Sequence, residues 1–525
     1  MPEILLIQPP IRDFYLTKKR TIPYGLASLA TGLLTAGFQV DILDCLATNK
    51  SKDIPLPQEM QYLREYYSRP DQAPFSLFYQ YRHYGYSYEH ISTLIAKSKA
   101  KLVGISSLFT PYQAEALAVA DLVKKHLPGA KVVLGGHHPT ALPEEVLQNN
   151  PVDFIIRGEG EQALVQLALA LKNNTSTEGI PGLCYRDPNG KAVISAPAII
   201  GNPDDFPLPA NQLIKSSFYQ RKRKGSTVIM AGRGCNLKCS YCSVSADSFL
   251  PFRRRSLSAV IRELDVAVEA GARFIDFEDE NLSIQRSWFR ELLDTISARY
   301  QGVDLELRAM NGLLPTTLDD DTIQSMAKAG FKELNLSLCT ISKDQLRRFS
   351  RPDVQSAFDR CLESAENHGL TAVGYVIIGA PWQQPEDSIS DLIFLAARRV
   401  LAGLSVYYPS PGSTDYKRYT NEKIFPADLL LTRSTALPVS HQTTRLEAVT
   451  LLRLGRIINY MKALQARGKS RGKDEIGKKL IAEFLKCGKI PGIDENGEYY
   501  EQKVSDHVVQ SFLTALASTT LRAAS

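Results

Sequence analysis

Gly232-Arg233-Gly234-Cys235-Asn236-Leu237-Lys238-Cys239-Ser240-Tyr241-Cys242 follows directly on the apolar run Thr227–Ala231. Its glycines, Asn236 and Ser240 interrupt any strand or helix pattern, so the segment reads as an irregular loop leaving a strand. The C-x3-C-x2-C spacing offers three thiolates, whereas an iron–sulfur cube has four irons, and one iron is left without a protein ligand. A cube held by four cysteines suits electron passage; one with an open iron can also hold a small molecule and act on it. A zinc site short of its fourth ligand is a weaker reading, because no second cysteine pair or histidine pair follows closely. Three unconnected core thiols would not sit in such a loop.

Outward from this loop the pattern alternates. After Thr227–Ala231, strand candidates recur at Arg273–Phe277, Leu305–Arg308, Glu333–Leu338, Ala372–Ile378 and Ser405–Tyr408. Helical stretches separate them at Leu257–Ala270, Ser287–Arg299, Asp319–Ala329, Ser342–Phe349 and Val354–His368. Six strand–helix repeats predict a partial (β/α)6 barrel whose site lies in the loops at the carboxyl ends of its strands.

The first third alternates as well: Ile4–Gln8, a helix over Pro23–Gly37, and Val40–Asp44. After a polar, tyrosine-rich stretch over 50–92 come Leu102–Ser106, a helix over Ala114–His126, Lys131–Gly136 and Phe154–Glu161. Continuous apolar strands between amphipathic helices predict a parallel, doubly wound, Rossmann-like sheet, which binds ligands at its carboxyl edge. That edge carries Pro9, Ser106, Ser107, Gly135, Gly136, His137, Gly158, Glu159 and Gly160. Beyond residue 421 helices take over, with Arg445–Leu464 and Glu475–Leu485 amphipathic and 468–479 polar and basic. The expected division is 1–200, 201–420 and 421–525, the last a mainly helical extension that covers the open side of the barrel or holds a partner.

With Tyr241 just before the third cysteine, the loop resembles the signature of the radical S-adenosylmethionine superfamily. The resemblance implies a [4Fe-4S] cluster on Cys235, Cys239 and Cys242 whose open iron chelates the methionine part of S-adenosylmethionine. It also implies reductive cleavage of the sulfonium to methionine and a 5′-deoxyadenosyl radical. Phe277-Glu278-Asp279-Glu280-Asn281-Leu282 is similar to the family's second-strand motif, which implies that Asp279 and Glu280 meet the ligand's amino group. Arg308 is the expected carboxylate partner, and Gly379 and Pro381 match the fifth-strand Gly-x-Pro element. Ser337 lies where the family has a Glu-Ser pair, but this chain reads Ser337-Leu338-Cys339, which leaves that contact open and Cys339 a buried thiol.

Pro23-Tyr24-Gly25-Leu26-Ala27 and Gly158-Glu159-Gly160-Glu161 resemble the cobalamin-binding domain that precedes the radical domain in one class of this superfamily. Cobalamin is therefore the expected ligand of the N-terminal sheet. The Asp-x-His-x-x-Gly motif is absent, so a cobalt-ligating histidine from that motif is not expected. The alternative for this domain is a Rossmann-like platform for a partner protein.

The chain has 525 residues, a net charge of +6 and 8 cysteines, five of them scattered singly. These numbers exclude a disulfide scaffold and a strongly charged nucleic-acid binder. The absence of a long apolar run and of an h-region predicts a cytoplasmic protein without a transmembrane segment. The implied function is methylation of an unactivated carbon in a small-molecule substrate, with electrons from an external flavodoxin- or ferredoxin-like donor. The alternatives are cyclisation or rearrangement with the same cofactors, and a non-catalytic iron–sulfur sensor or electron carrier.

Overall fold

A computed structural model describes residues 2–14, 21–78, 80–244, 250–424, 428–438, 441–467 and 472–524. Five parallel strands build the N-terminal sheet, in spatial order Phe154–Ile156, Lys131–Gly135, Leu102–Ser106, Ile4–Gln8 and Val40–Asp44. Leu183–Arg186 and Ala192–Val193 continue it antiparallel beyond Phe154–Ile156. The strands read as unbroken apolar runs because both faces are covered. Helices Tyr24–Thr35 and Gly160–Asn173 pack on one face, Tyr88–Ser98 and Gln113–His126 on the other. Strand order reverses between Ile4–Gln8 and Leu102–Ser106, and the crevice outside that switch point is where such sheets bind ligands.

The tyrosine-rich stretch is more ordered than its polarity suggests. Ser51–Asp53 and Tyr81–Tyr84 pair with each other, and Tyr81–Tyr84 also pairs with Ile11–Phe14, in a small antiparallel sheet. Phe14 packs among the rings of Tyr67, Phe78 and Tyr81 at centroid distances of 5.2 to 6.0 Å. These aromatics are internal packing; Tyr79 lies outside the described residues.

Six strands curve into the central half-barrel: Lys224–Ile229, Ala272–Phe277, Glu306–Arg308, Glu333–Cys339, Thr371–Ile378 and Leu401–Val406. All neighbours are parallel, and the third and fourth strands join only through bridges such as Leu307 to Phe331 and Leu313 to Leu336. The sixth strand starts four residues before the expected Ser405. Gly403 hides it in the sequence, yet no side chain fits there, since a Cβ would lie 2.6 Å from the Tyr375 ring.

The sixth strand is an edge, and the C-terminal helix Arg445–Arg467 covers it. Asn459 satisfies both backbone groups of Ala402, its Oδ1 accepting from the N–H and its Nδ2 donating to the carbonyl, each at 2.8 Å. Lys462, fully buried, donates to the carbonyls of Leu395, Arg398 and Val400 at 2.6, 2.5 and 2.8 Å. Helices Gly472–Cys487 and Asp506–Ala517 follow, with a hairpin of Pro491–Ile493 and Tyr499–Glu501 between them that the helical pattern did not announce. The extension also reaches the N-terminal unit: Arg433 pairs with buried Asp13 at 3.2 Å, and Arg453 donates to the Tyr66 carbonyl at 2.9 Å. Among the described residues no helix is long and apolar enough to cross a membrane.

Candidate active site between the sheet and the barrel

The first barrel strand ends in the cysteine loop. A short ladder, Gly232–Arg233 against Arg253–Arg254, closes the base of the loop. Gly234 has φ +77° and lies so close to the returning chain that a Cβ would stand 2.5 Å from the Pro251 carbonyl oxygen. Cys235 and Cys239 are buried and Cys242 half-buried, none of them in a disulfide. Burial pushes the Cys235 thiol up and Cys242 up to about 11, and each of these two also feels the charge of Cys239. Among the described residues no three His, Cys, Asp or Glu side chains group so as to hold one metal ion.

Arg351 is the cation beside this loop. It donates to Cys239 Sγ at 3.3 Å and to Ser337 Oγ at 2.8 Å, while its Nε is buried without a partner. The expected Arg308 instead lies 3.8 Å from Glu306 and is partly exposed. Sequence reasoning missed Arg351 because it sits in a loop after the helix Lys343–Arg348 and not at a strand end. Tyr241 packs edge-on against Phe349, with ring centroids 4.9 Å apart, and lies against the apolar cluster that holds buried Cys339. Cys339 has φ +72° at a bulge in the fourth strand, and with Tyr241, Phe349, Ala380 and Tyr407 it forms an apolar layer beneath the loop.

The two second-strand carboxylates part company. Asp279 is 4 % exposed, receives Arg254 at 2.8 Å and the Ala231 N–H at 2.9 Å, and faces the loop base rather than open space. Burial outweighs that pairing and pushes its pKa up to about 7, while burial also lowers Arg254. Glu280 accepts from the Gly234 N–H at 3.1 Å and lines the cavity described next. Gly379 (φ +66°) lets the chain turn at the fifth strand, followed by Ala380 and buried Pro381.

A cavity of about 280 Å³ lies over the switch point of the sheet. Ser106, Gly135, Gly136, His137, Gly158, Glu159 and Gly160 line it from the sheet, and Met230, Arg233, Leu250 and Glu280 close it from the barrel. Pro9 and Ser107 line a smaller adjoining pocket. A Cβ on Gly25 would meet nothing within 4 Å, and one on Gly135 nothing nearer than 3.9 Å, so both project only into the cavity. Glycine walls on a crevice suit a broad, flat ligand that approaches the backbone closely, as a corrin does. Gly136 is required for another reason: at φ +124°, its Cβ would stand 2.5 Å from the Ser107 carbonyl oxygen. His137 is open to the cavity but otherwise enclosed, and burial together with Arg233 lowers its pKa.

The Gly-Glu-Gly-Glu corner has a second use that the sequence did not disclose. Glu159 accepts from Arg253 Nη1 and Nη2, each at 2.8 Å, from Arg233 Nη1 at 3.1 Å and from the Ile200 N–H at 2.5 Å. Glu161 takes the other arm of Arg233 at 2.5 Å. The glutamates thus hold the two strands at the base of the cysteine loop against the sheet. The Glu159 carboxylate is committed to this clasp rather than free for a ligand.

Residues 17–168 match the B12 binding domain and residues 229–392 the Radical SAM superfamily, together more than half of the chain. An uncharacterized methyltransferase of Pyrococcus horikoshii is 27% identical over 331 residues, 62% of this chain and 71% of its own length. The cytidylyl-2-hydroxyethylphosphonate methyltransferase of Streptomyces wedmorensis is 26% identical over 416 residues, 72% and 73% of the two chains. The radical S-adenosylmethionine methyltransferase TsrM of Kitasatospora setae, solved with cobalamin and a [4Fe-4S] cluster, superposes with a TM-score of 0.60 at 18% identity, over 80% of this chain and 75% of its own. The chain belongs to the radical S-adenosylmethionine enzymes that carry a cobalamin-binding domain.

Proposed function

We propose that this enzyme methylates an unactivated carbon of a small-molecule substrate in the space between the sheet and the barrel. One observation carries the reading: the glycine-walled crevice of the cobalamin-type sheet borders a single cavity with Arg233 at the base of the cysteine loop and with Glu280, which accepts from the Gly234 N–H of that loop. The relatives named as methyltransferases point the same way. When bound, a [4Fe-4S] cluster supplies the electron that cleaves S-adenosylmethionine, and cobalamin carries the methyl group.

The chain's own residues hold and orient. Cys235, Cys239 and Cys242 are the cluster ligands. Glu280 is placed to accept from the ammonium of S-adenosylmethionine, with Asp279 fixing the loop base behind it. Arg351, rather than Arg308, is placed to pair with the ligand carboxylate, since its buried Nε lacks a partner and its fork already faces the loop. Gly379 to Pro381 are buried, and Gln383 takes both the N–H and the carbonyl of Ala380, so this turn shapes the wall of an adenine site and does not hydrogen-bond it through Ala380. Gly25, Gly135, Gly136, Gly158 and Gly160, with Ser106, Ser107 and Pro9, form the cobalamin cradle. His137 faces that cradle. The layer of Tyr241, Phe349 and Tyr407 keeps water from beneath the loop. Functional boundaries near 200 and 420 follow, with the extension after 420 as the wall of the open barrel edge. The electron comes from an external carrier, and the unpaired cysteines suit the reducing cytoplasm.

The test is anaerobic incubation of cluster-loaded protein with S-adenosylmethionine and reductant, with and without cobalamin. Cobalamin-dependent S-adenosylhomocysteine together with 5′-deoxyadenosine supports methyl transfer. Turnover of a substrate with deoxyadenosine but no S-adenosylhomocysteine would replace it with cyclisation or rearrangement.

A further inference from the structure

Reductive cleavage of a sulfonium consumes one electron, which amino-acid side chains do not supply, and the surface nearest Cys239 gathers positive charge. Two short helices meet there, Lys343–Arg348 and Thr414–Asn421. Ser240, directly after Cys239, donates from Oγ to the Arg348 carbonyl at 3.2 Å and from its N–H to the Phe349 carbonyl at 3.0 Å. Its own carbonyl accepts from the Asp415 N–H at 2.9 Å. Both helices are therefore hydrogen-bonded to the cysteine loop one residue from a cluster ligand. Along 343–348 and 414–423 Lys343, Arg347, Arg348, Lys417, Arg418 and Lys423 are exposed against Asp344 and Glu422, and exposed Glu145 of the N-terminal unit lies near Tyr416 of the second helix. Six positive and three negative groups leave an excess of +3 here, against +6 for the whole chain. An apolar element borders the charge: Trp382 is 39 % exposed, and the Arg348 guanidinium lies 5.7 Å from its ring.

We propose that this face docks an acidic protein that carries single electrons. The inference rests on the cluster reading above. The carrier is oxidised by one electron and the [4Fe-4S] cluster is reduced by one, with no bond made or broken at that step. The positive rim steers a negatively charged carrier, and Trp382 provides the kind of aromatic anchor on which interfaces concentrate their energy. The hydrogen bonds through Ser240 provide a short covalent and hydrogen-bonded route from the surface to Cys239. Ion pairs such as Arg418 with Glu422 at 3.2 Å are exposed and worth little, so charge reversal at this face leaves the fold intact.

The experiment is stopped-flow reduction of cluster-loaded protein by flavodoxin hydroquinone, with the extent of reduction by dithionite as reference. In the R348E/R418E double variant the second-order rate with flavodoxin falls tenfold or more, while iron content and the extent of dithionite reduction stay at wild-type values. The wild-type rate falls with rising salt, and the variant loses most of that dependence. The double variant R221E/K222E, at the opposite end of the first barrel strand, keeps the wild-type rate. An unchanged rate in R348E/R418E, an equal fall in R221E/K222E, or a salt-independent wild-type rate overturns the docking site. Protein that takes up no cluster reducible by dithionite overturns the cluster reading itself, before any carrier is added.

Discussion

Glu159→Ala should destabilise the folded chain by about 3 kcal/mol. Removing one partner of a buried ion pair costs roughly 3 to 5 kcal/mol, because the stranded charge loses its compensation. Here the side chain of Glu159 is 3% exposed, and those of Arg233 and Arg253 are 15% and 11% exposed. The lower end of the range applies because both arginines keep other acceptors. Arg233 retains Glu161, and Arg253 retains the carbonyls of Ile200 and Pro251. Glu159→Gln preserves shape and loses charge, which leaves weaker neutral hydrogen bonds and a cost of about 1 to 2 kcal/mol.

Urea unfolding followed by tryptophan emission measures both, since Trp288 lies 4.5 Å from the guanidinium of Arg254 at the same loop base. The pH profile has a fixed sign. Burial works to raise the Glu159 pKa, but the Arg253 hydrogen bonds, the Ile200 N–H and both guanidinium charges outweigh it and hold it below the ordinary carboxylate value. The charge-dependent stabilisation is therefore complete above the unfolded pKa of about 4.3 and is lost as pH falls through the depressed folded value. The gap between wild type and Glu159→Gln should be flat from pH 6 to 8 and close in acid. Both variants within 0.5 kcal/mol of wild type, a resolution typical for surface changes, would refute the clasp.

Gly25→Ala should raise thermal stability slightly, as Gly to Ala within a helix commonly gains about 0.4 to 1 kcal/mol. It should also weaken cobalamin binding measured by equilibrium dialysis, because the new methyl enters only the cavity. Lys462→Met leaves three buried carbonyls without their donor and should cost on the order of 3 kcal/mol in urea unfolding; a neutral result would show that the C-terminal helix is not pinned there. Cys239→Ala should reduce iron after anaerobic reconstitution to background while circular dichroism stays unchanged.

The strands were legible where parallel pairing demands unbroken apolar runs, as in Ile4–Gln8 and Lys131–Gly135, and the cysteine loop where spacing alone carries the chemistry. What stayed hidden depends on distance in the chain. Glu159 meets Arg253 across ninety-four residues, and Arg351 reaches Cys239 across one hundred and twelve. No local pattern marks either pair. Asp279 and Glu280 are neighbours with the same chemistry, and only the fold turns one to Arg254 and the other to the cavity. The strand at Leu401–Val406 was misplaced because Gly403 and Ser405 break its apolar run while Asn459 and Tyr375 supply the missing packing and hydrogen bonds.

The most direct test of the central claim is electron paramagnetic resonance of the reconstituted, dithionite-reduced protein, with and without S-adenosylmethionine. A three-cysteine cluster with an open iron gives a reduced [4Fe-4S] signal that changes on addition of S-adenosylmethionine. A signal that S-adenosylmethionine leaves unaltered, or protein that retains zinc and forms no cluster, would contradict the account.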